Sequence, residues 1–189
     1  MPVTTDILAS YRRPRSVMAR LLAGGADDRV AFAYLTAGLV IGFVSQLPAL
    51  MRRANQPDPA FEAAIRAEAG DVRPIEAVAV PADIVDAKFE ALMSGALMAW
   101  IFILPLLLYG VAALSLPVLR ALGARITGLG TRLALFWAFL AATPLKLFQG
   151  LVEGFIGPGP VLVGAWSLWL AVFLWFWSAN LREAGWGTP

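Results

Sequence analysis

The sequence predicts an all-α, polytopic membrane protein with about four transmembrane helices and an amphipathic N-terminal helix. Of its 189 residues, 59% are hydrophobic and only 15% are charged. A soluble protein of this size lacks the interior volume to bury so much apolar surface. The apolar residues also form long uncharged runs, close to the length of about 20 residues that a helix needs to cross the hydrocarbon core. Lipid is therefore the expected solvent.

The apolar runs and the polar segments between them define nine regions. The first run starts near Val30 and is too long for the apolar part of a signal peptide, so we expect an uncleaved span. The second run contains Pro105, which is expected to kink it. The predicted spans are 30–51, 91–119, 133–152 and 161–179, and the segments outside them are 1–29, 52–90, the loop 120–132, the turn 153–160 and the tail 180–189.

The distribution of charge predicts the orientation. Segment 1–29 has five Arg and three Asp, and loop 120–132 has three Arg and no acid. Segment 52–90 has eight acidic and five basic residues. Because loops rich in Arg and Lys stay in the cytoplasm, we expect both termini and loop 120–132 to be cytoplasmic and segment 52–90 to be periplasmic. Arg52 and Arg53, next to the first span, run against this rule.

The basic N-terminal segment contains a candidate membrane-surface helix. Residues 14–22 have helical spacing, with Val17 and Leu21 on one face and Ser16 as a candidate N-cap. Such a helix could lie on an anionic leaflet, or the segment could be a flexible basic tail that only sets topology. The basic side would be formed by Arg12, Arg13, Arg15 and Arg20.

The third span contains the main candidate site. Lys146, Gln149 and Glu153 follow at i, i+3 and i+7, which places them on one helix face. Ionisable groups within a span are costly in lipid and are functional candidates. Lys146 could form a structural pair or extend to the interface, or it could contact a lipid or ligand.

Two GxxxG motifs predict close helix packing. The pairs are Gly38 with Gly42, and Gly150 with Gly154. This spacing lets helix backbones approach closely, either inside the protein or between copies. The motif is weakly specific, and we favour internal packing.

An aromatic stripe is predicted on the fourth span. The simplest interpretation is a lipid-facing and interfacial belt, and a pigment or quinone site is the alternative. The chain has no cysteine and no histidine, so the usual haem, zinc and iron–sulfur ligands are missing, and we expect no cofactor and no metal. The stripe comprises Trp166, Trp169, Phe173, Phe176 and Trp177.

The same absences argue against an enzyme. Without cysteine and histidine the chain lacks a thiolate nucleophile and the usual general base. No nucleotide-binding, metalloprotease or serine-hydrolase motif occurs. The basic residues lie close to the predicted spans, so nucleic-acid binding is not expected.

Three stretches resemble the Yip (Ypt/Rab-interacting protein) domain family, in a short bacterial form. They are PR at 14–15 with RLL at 20–22, LPLLLY at 104–109, and RLALFW at 132–137 with GFIGPGP at 154–160. The resemblance implies a non-enzymatic multi-span protein and supplies no catalytic residue. Family members typically have five helices, whereas four are predicted here. The small-GTPase role of eukaryotic members is not carried over.

The sequence is compatible with two functions. We expect a structural or interaction protein of the bacterial inner membrane, a four-helix bundle in the lipid bilayer that associates with another membrane protein or with itself. The alternative is a small transporter, channel or lipid-handling protein in which the Lys146 face lines a path.

Overall fold

The computed structural model describes residues 2–68 and 82–187. Their regular structure is helical throughout. Residues 69–81 of the predicted acidic segment, and the last two residues of the predicted tail, lie outside the described residues. The α-helices are α1 (Val3–Ser10), α2 (Pro14–Ala23), α3 (Asp28–Ala54), α4 (Pro59–Glu68), α5 (Ala82–Met98), α6 (Leu104–Ala121), α7 (Gly128–Ala141), α8 (Thr143–Leu151) and α9 (Pro160–Trp186). Two π-helical turns, Ala99–Ile103 and Val152–Ile156, follow α5 and α8.

The predicted fold class is confirmed. Within the described part of the chain, three helices are long and apolar enough to cross a membrane: Asp28–Ala54, Ile84–Ala121 and Pro160–Trp186. The pair Gly128–Ala141 and Thr143–Ile156 makes a fourth crossing if the two helices count as one span. The chain is an all-α protein with three to four candidate membrane spans.

Pro105 is accommodated by a π-helical turn within a continuous helix of 38 residues, Ile84–Ala121. In a regular α-helix the proline ring would collide with the carbonyl of Ile101, and the missing N–H would leave that carbonyl unpaired. The wider turn Ala99–Ile103 lies directly before the proline. It also brings Trp100 against α3, where the indole lies over Gly42.

The third predicted span, 133–152, is two helices that meet at an angle of 41°. Pro144 follows the bend and cannot donate to the carbonyl of Leu140. The Thr143 hydroxyl donates to that carbonyl instead, at 2.7 Å. This bond matters because the hydrocarbon core offers no water to satisfy a free backbone group.

The predicted turn 153–160 starts later than expected. Residues 152–156 continue the helix as a π-helical turn, so Glu153 is helical. The chain then reverses at residues 157–159, where Gly157 has a φ of 88°. Only glycine adopts this conformation without strain.

Helix α7 is the centre of the bundle. Every residue from 133 to 142 is buried, and Leu133, Phe136 and Trp137 have no exposed surface. The helix packs against α3, α6 and α9 on different sides. A helix that is apolar all round can be buried in this way.

The apolar face of the N-terminal segment packs against this bundle and is therefore not available to lipid. Val17 and Met18 of α2 are buried in the protein core. The Trp137 indole N–H donates to the Ser10 hydroxyl at 3.1 Å, which ties α1 to α7. Helix α2 begins at Pro14 after the N-cap residue Arg13, so the expected N-cap at Ser16 is wrong. Its apolar face is covered by α7 and α9. Helical periodicity shows that a face is apolar, but it does not show whether protein or lipid covers that face.

All four glycines of the two GxxxG motifs lie at contacts between helices of the same chain. Gly38 faces the Phe139 ring and Gly42 faces the Trp100 indole. On the other helix, Gly150 lies against the Ser45 backbone and Gly154 against Pro48. Added Cβ atoms at Gly150 and Gly154 would therefore overlap with α3.

We expect Gly150→Ala to destabilise the fold because the new methyl group meets the Ser45 carbonyl, which is backbone and cannot rotate away. Overpacking of this kind costs about 1–3 kcal/mol. The measurement is thermal unfolding of the purified protein in detergent. Gly164→Ala is the matched control, since no described atom lies within 4 Å of its added Cβ. Equal unfolding temperatures for the two variants would contradict the close contact.

Candidate functional site

The three polar residues predicted to share a face form a continuous chain of hydrogen bonds. Helix α8 carries Lys146 and Gln149, and the following π-helical turn carries Glu153. The Lys146 ammonium donates to Gln149 Oε1 at 2.6 Å. Gln149 Nε2 donates to Glu153 Oε2 at 2.7 Å. We call this arrangement, with its continuation to Arg53, the polar chain.

The polar chain continues from the third span to α3. Arg53 donates to Glu153 Oε1 at 2.6 Å, and Arg52 donates to the carbonyl of Gly154 at 3.3 Å. The two arginines that run against the predicted orientation are thus bound to the third span. The Glu153 carboxylate lies between the Arg53 guanidinium and, through Gln149, the Lys146 ammonium, so positive and negative charges alternate along the polar chain.

The polar chain is exposed at Arg53 and mostly buried at its other three residues. The Arg53 side chain is 59% exposed and Glu153 is 18% exposed. Further in, Lys146 is 9% and Gln149 1% exposed. The Lys146 ammonium is thus largely shielded from solvent and bonded within the protein.

Two tryptophans of the aromatic stripe complete the surroundings of Lys146. Its ammonium lies 4.2 Å from the ring centroid of Trp166 and 5.3 Å from that of Trp169. A desolvated cation over an indole face gains about 2 kcal/mol or more. The ammonium therefore has one amide oxygen and two aromatic faces around it.

The rest of the aromatic stripe faces the protein more than the lipid. Phe176 has no exposed surface, and its ring packs edge-on against that of Tyr11, with the ring centroids 5.0 Å apart. Phe173 stacks between Trp169 and Trp177, with centroid distances of 5.7 and 6.2 Å. Among the five residues of the stripe, Trp166 is 42% exposed, Phe176 is buried and the other three are partly buried, so the predicted lipid-facing belt is corrected to a stripe that is largely packed within the protein.

A cavity of about 270 Å³ adjoins the polar chain. Its wall combines Lys146, Gln149 and Glu153 with Gln46 and Trp100 from neighbouring helices. The Gln46 side-chain nitrogen is buried and has no hydrogen-bond partner among the described residues. The cavity therefore offers hydrogen-bond donors and a cation, which suit a small acceptor or an anion. Within the described residues, no three His, Cys, Asp or Glu side chains lie together as metal ligands would.

Three residues around Lys146, namely Gln46, Trp100 and Trp166, were not predicted from the sequence to belong to the site. Gln46 and Arg53 are seven residues apart in α3, which places them on one helix face. This spacing, with an amide inside an apolar span, was a usable signal. Trp100 and Trp166 gave none, because both are aromatic residues in apolar helices.

The predicted membrane-surface arginines lie at the opposite end of the bundle. Arg15 pairs with Glu183 of α9 at 3.0 Å, and Arg132 pairs with Asp28 at 2.7 Å. The backbone N–H of Arg125 donates to the carbonyl of Gly185 at 2.9 Å. These contacts bring α2, the α6–α7 loop and the end of α9 together at one end. The polar chain and this basic end are two separate regions.

Comparison of the chain with protein-family models, curated proteins and solved structures finds no match.

We expect Gln149→Leu to lower the free energy of unfolding by roughly 2 kcal/mol, because it leaves the buried Lys146 ammonium without its oxygen acceptor. Adding Lys146→Met should restore part of this loss, since the unpaired cation is then removed. Reversible unfolding in detergent measures both effects.

Gln46→Leu is the control, because it removes the same amide group where the nitrogen has no described partner. It should change stability by less than about 1 kcal/mol. If the double variant Lys146→Met/Gln149→Leu is less stable than Gln149→Leu alone, the charge on Lys146 does not need this acceptor.

Proposed function

We propose that this is a non-enzymatic integral membrane protein that associates with another membrane protein or with a second copy of itself. The observation that carries the proposal is the outer face of the helix Ile84–Ala121. Only 11% of the residues in its 18-residue apolar stretch are buried inside the protein. The share is the same in α9, and it is 28% in Asp28–Ala54. The polar chain supports a structural role for its charged residues, because each of them is hydrogen-bonded to another group of the same protein.

The outer face contains two glycines that no contact within the protein requires. Exposed positions recur along one side of this helix, at Gly95, Met98, Phe102, Leu106 and Gly110. No described atom lies within 4 Å of a Cβ added at Gly95 or Gly110, in contrast to the four motif glycines. Glycine costs about 1 kcal/mol relative to alanine within a helix. Small residues that face outward let a second helix approach, which supports an interface.

A small transporter, channel or lipid-handling protein is the second candidate. It is supported by the cavity beside Lys146 and by the unpaired Gln46 amide in its wall. In this case a small anion or a headgroup would occupy the cavity. The internal pairing of Lys146 makes this the weaker proposal.

Membership of the Yip domain family, in a short bacterial form, is also a proposal. It is supported by the three sequence stretches at 14–22, 104–109 and 132–160. It agrees with a non-enzymatic role and adds no site residue.

The proposed location is the bacterial inner membrane, with both termini in the cytoplasm. It is supported by the Arg-rich segments 1–29 and 120–132, whose contacts lie at the same end of the bundle as the end of α9. At the other end, the binding of Arg52 and Arg53 to the third span accounts for positive charge on the outer side.

The orientation is tested by cysteine labelling, because the chain has no cysteine of its own. Ala23 and Ala60 are both exposed and lie at opposite ends of α3. In right-side-out vesicles, a membrane-impermeant maleimide should label Ala60→Cys at once and Ala23→Cys only after lysis. Labelling of Ala23→Cys alone before lysis would show that the topology is inverted. Labelling of both residues before lysis would contradict the proposal that they lie on opposite sides of the membrane.

Association is tested by photo-crosslinking in native membranes. A photoreactive phenylalanine analogue at Phe102, 64% exposed on the outer face, should give one protein adduct of defined mass. Phe155, 77% exposed but outside this face, is the matched control and should give none. An adduct of twice the chain mass identifies a second copy, and any other mass identifies a different protein.

The substitution Gly110→Leu should abolish the adduct by blocking close approach, while the thermal unfolding of the isolated protein stays unchanged. Absence of a protein adduct at Phe102, or equal adducts at Phe102 and Phe155, would overturn the proposed interface.

A further inference from the structure

The basic end of the bundle contains a cleft between the α1–α2 connection and α9. Its volume is about 590 Å³. Arginines line one side and the exposed surface of α9 lines the other. The residues that matter here are Arg12, Arg13, Arg15, Trp175, Ser178 and Arg182. We call this the basic cleft. A second hollow, on the far side of Arg12 and Arg13, is lined by α1 and α2 alone.

The basic cleft holds positive charge that the described protein does not neutralise. Arg15 pairs with Glu183, but Arg12, Arg13 and Arg182 make no ion pair or side-chain hydrogen bond with any described residue. No acidic side chain is among the described residues that line the cleft. Guanidinium groups bind phosphate and carboxylate oxygens alike in a bidentate manner. A phosphate group has more acceptor oxygens than a carboxylate, so it can accept hydrogen bonds from three arginines at once.

The arginines are mounted on a fixed scaffold. Between α1 and α2, the Tyr11 ring packs edge-on against the Phe176 ring of α9, with a centroid distance of 5.0 Å. On either side, Ser10 accepts a hydrogen bond from Trp137, and Val17 is buried. The backbone of Arg12 and Arg13 therefore lies between anchored residues. A fixed backbone lowers the entropy lost when these side chains bind a ligand.

The other wall of the basic cleft is α9, and the apolar part of this wall continues along the helix beyond the cleft. Trp175 is 45% exposed, and Ala171 and Leu168, which lie on the same helix face at i−4 and i−7, are exposed as well. Tryptophan is typical of the interface between headgroups and acyl chains. The cleft thus joins a site for a phosphate group to a track for hydrocarbon.

We propose that the basic cleft binds the headgroup of an anionic phospholipid, whose acyl chains lie along the exposed face of α9. Charge complementarity selects the phosphate, and the continuous apolar wall selects a lipid over a free phosphate ion. This inference is independent of the proposed function, because the outer face of Ile84–Ala121 takes no part in it.

The test measures lipid binding to the full-length purified protein. Native mass spectrometry is used to titrate phosphatidylglycerol and phosphatidylcholine with identical acyl chains, with inorganic phosphate as competitor. The protein should bind phosphatidylglycerol more tightly, and Arg12→Gln/Arg182→Gln should weaken that binding by about tenfold or more. Binding of phosphatidylcholine should be unaffected.

The matched control is Arg29→Gln/Arg125→Gln, which removes two exposed arginines from the same end of the bundle but outside the cleft. It should retain the preference for phosphatidylglycerol. Equal loss in both double variants would show attraction by general charge and overturn the site. Equal affinity of the unmodified protein for the two lipids would also overturn it. Full displacement by millimolar phosphate would assign the cleft to a free anion and not to a lipid.

Discussion

The close approach of α3 and the second half of the third span determines most of the geometry on one side of the molecule. Gly150 and Gly154 allow the backbones to meet at Ser45 and Pro48. The only bond of the polar chain that joins the two helices, from Arg53 to Glu153 at 2.6 Å, crosses this contact. The small residues therefore hold Glu153 within reach of Arg53.

The same side shows how the chain manages proline in an apolar environment. Pro105 is preceded by a π-helical turn, and Pro144 by a threonine whose hydroxyl satisfies the carbonyl that the proline leaves free. Each solution also has a structural result. The π-helical turn presents Trp100 to Gly42, and the bend after Ala142 directs α8 toward α3.

The sequence was sufficient for the elements that follow from local spacing. Hydropathy indicated three to four candidate spans, and the i, i+3, i+7 spacing placed Lys146, Gln149 and Glu153 on one face. It was insufficient where a partner is distant: Arg53 is 100 residues from Glu153, and nothing local connects them. It was also insufficient for apolar faces. The pattern of Val17 and Phe176 is the same whether lipid or protein covers them, because both environments are equally apolar.

The contacts of the N-terminal segment have a consequence for the order of assembly. Residues 3–23 are synthesised well before the residues they pack against: Ser10 and Trp137 are 127 positions apart, and Arg15 and Glu183 are 168 apart. During translation Val17 and Met18 of α2 therefore lack their protein partners until α7 and α9 have been made. Helices that are made late complete the packing of helices that are made early.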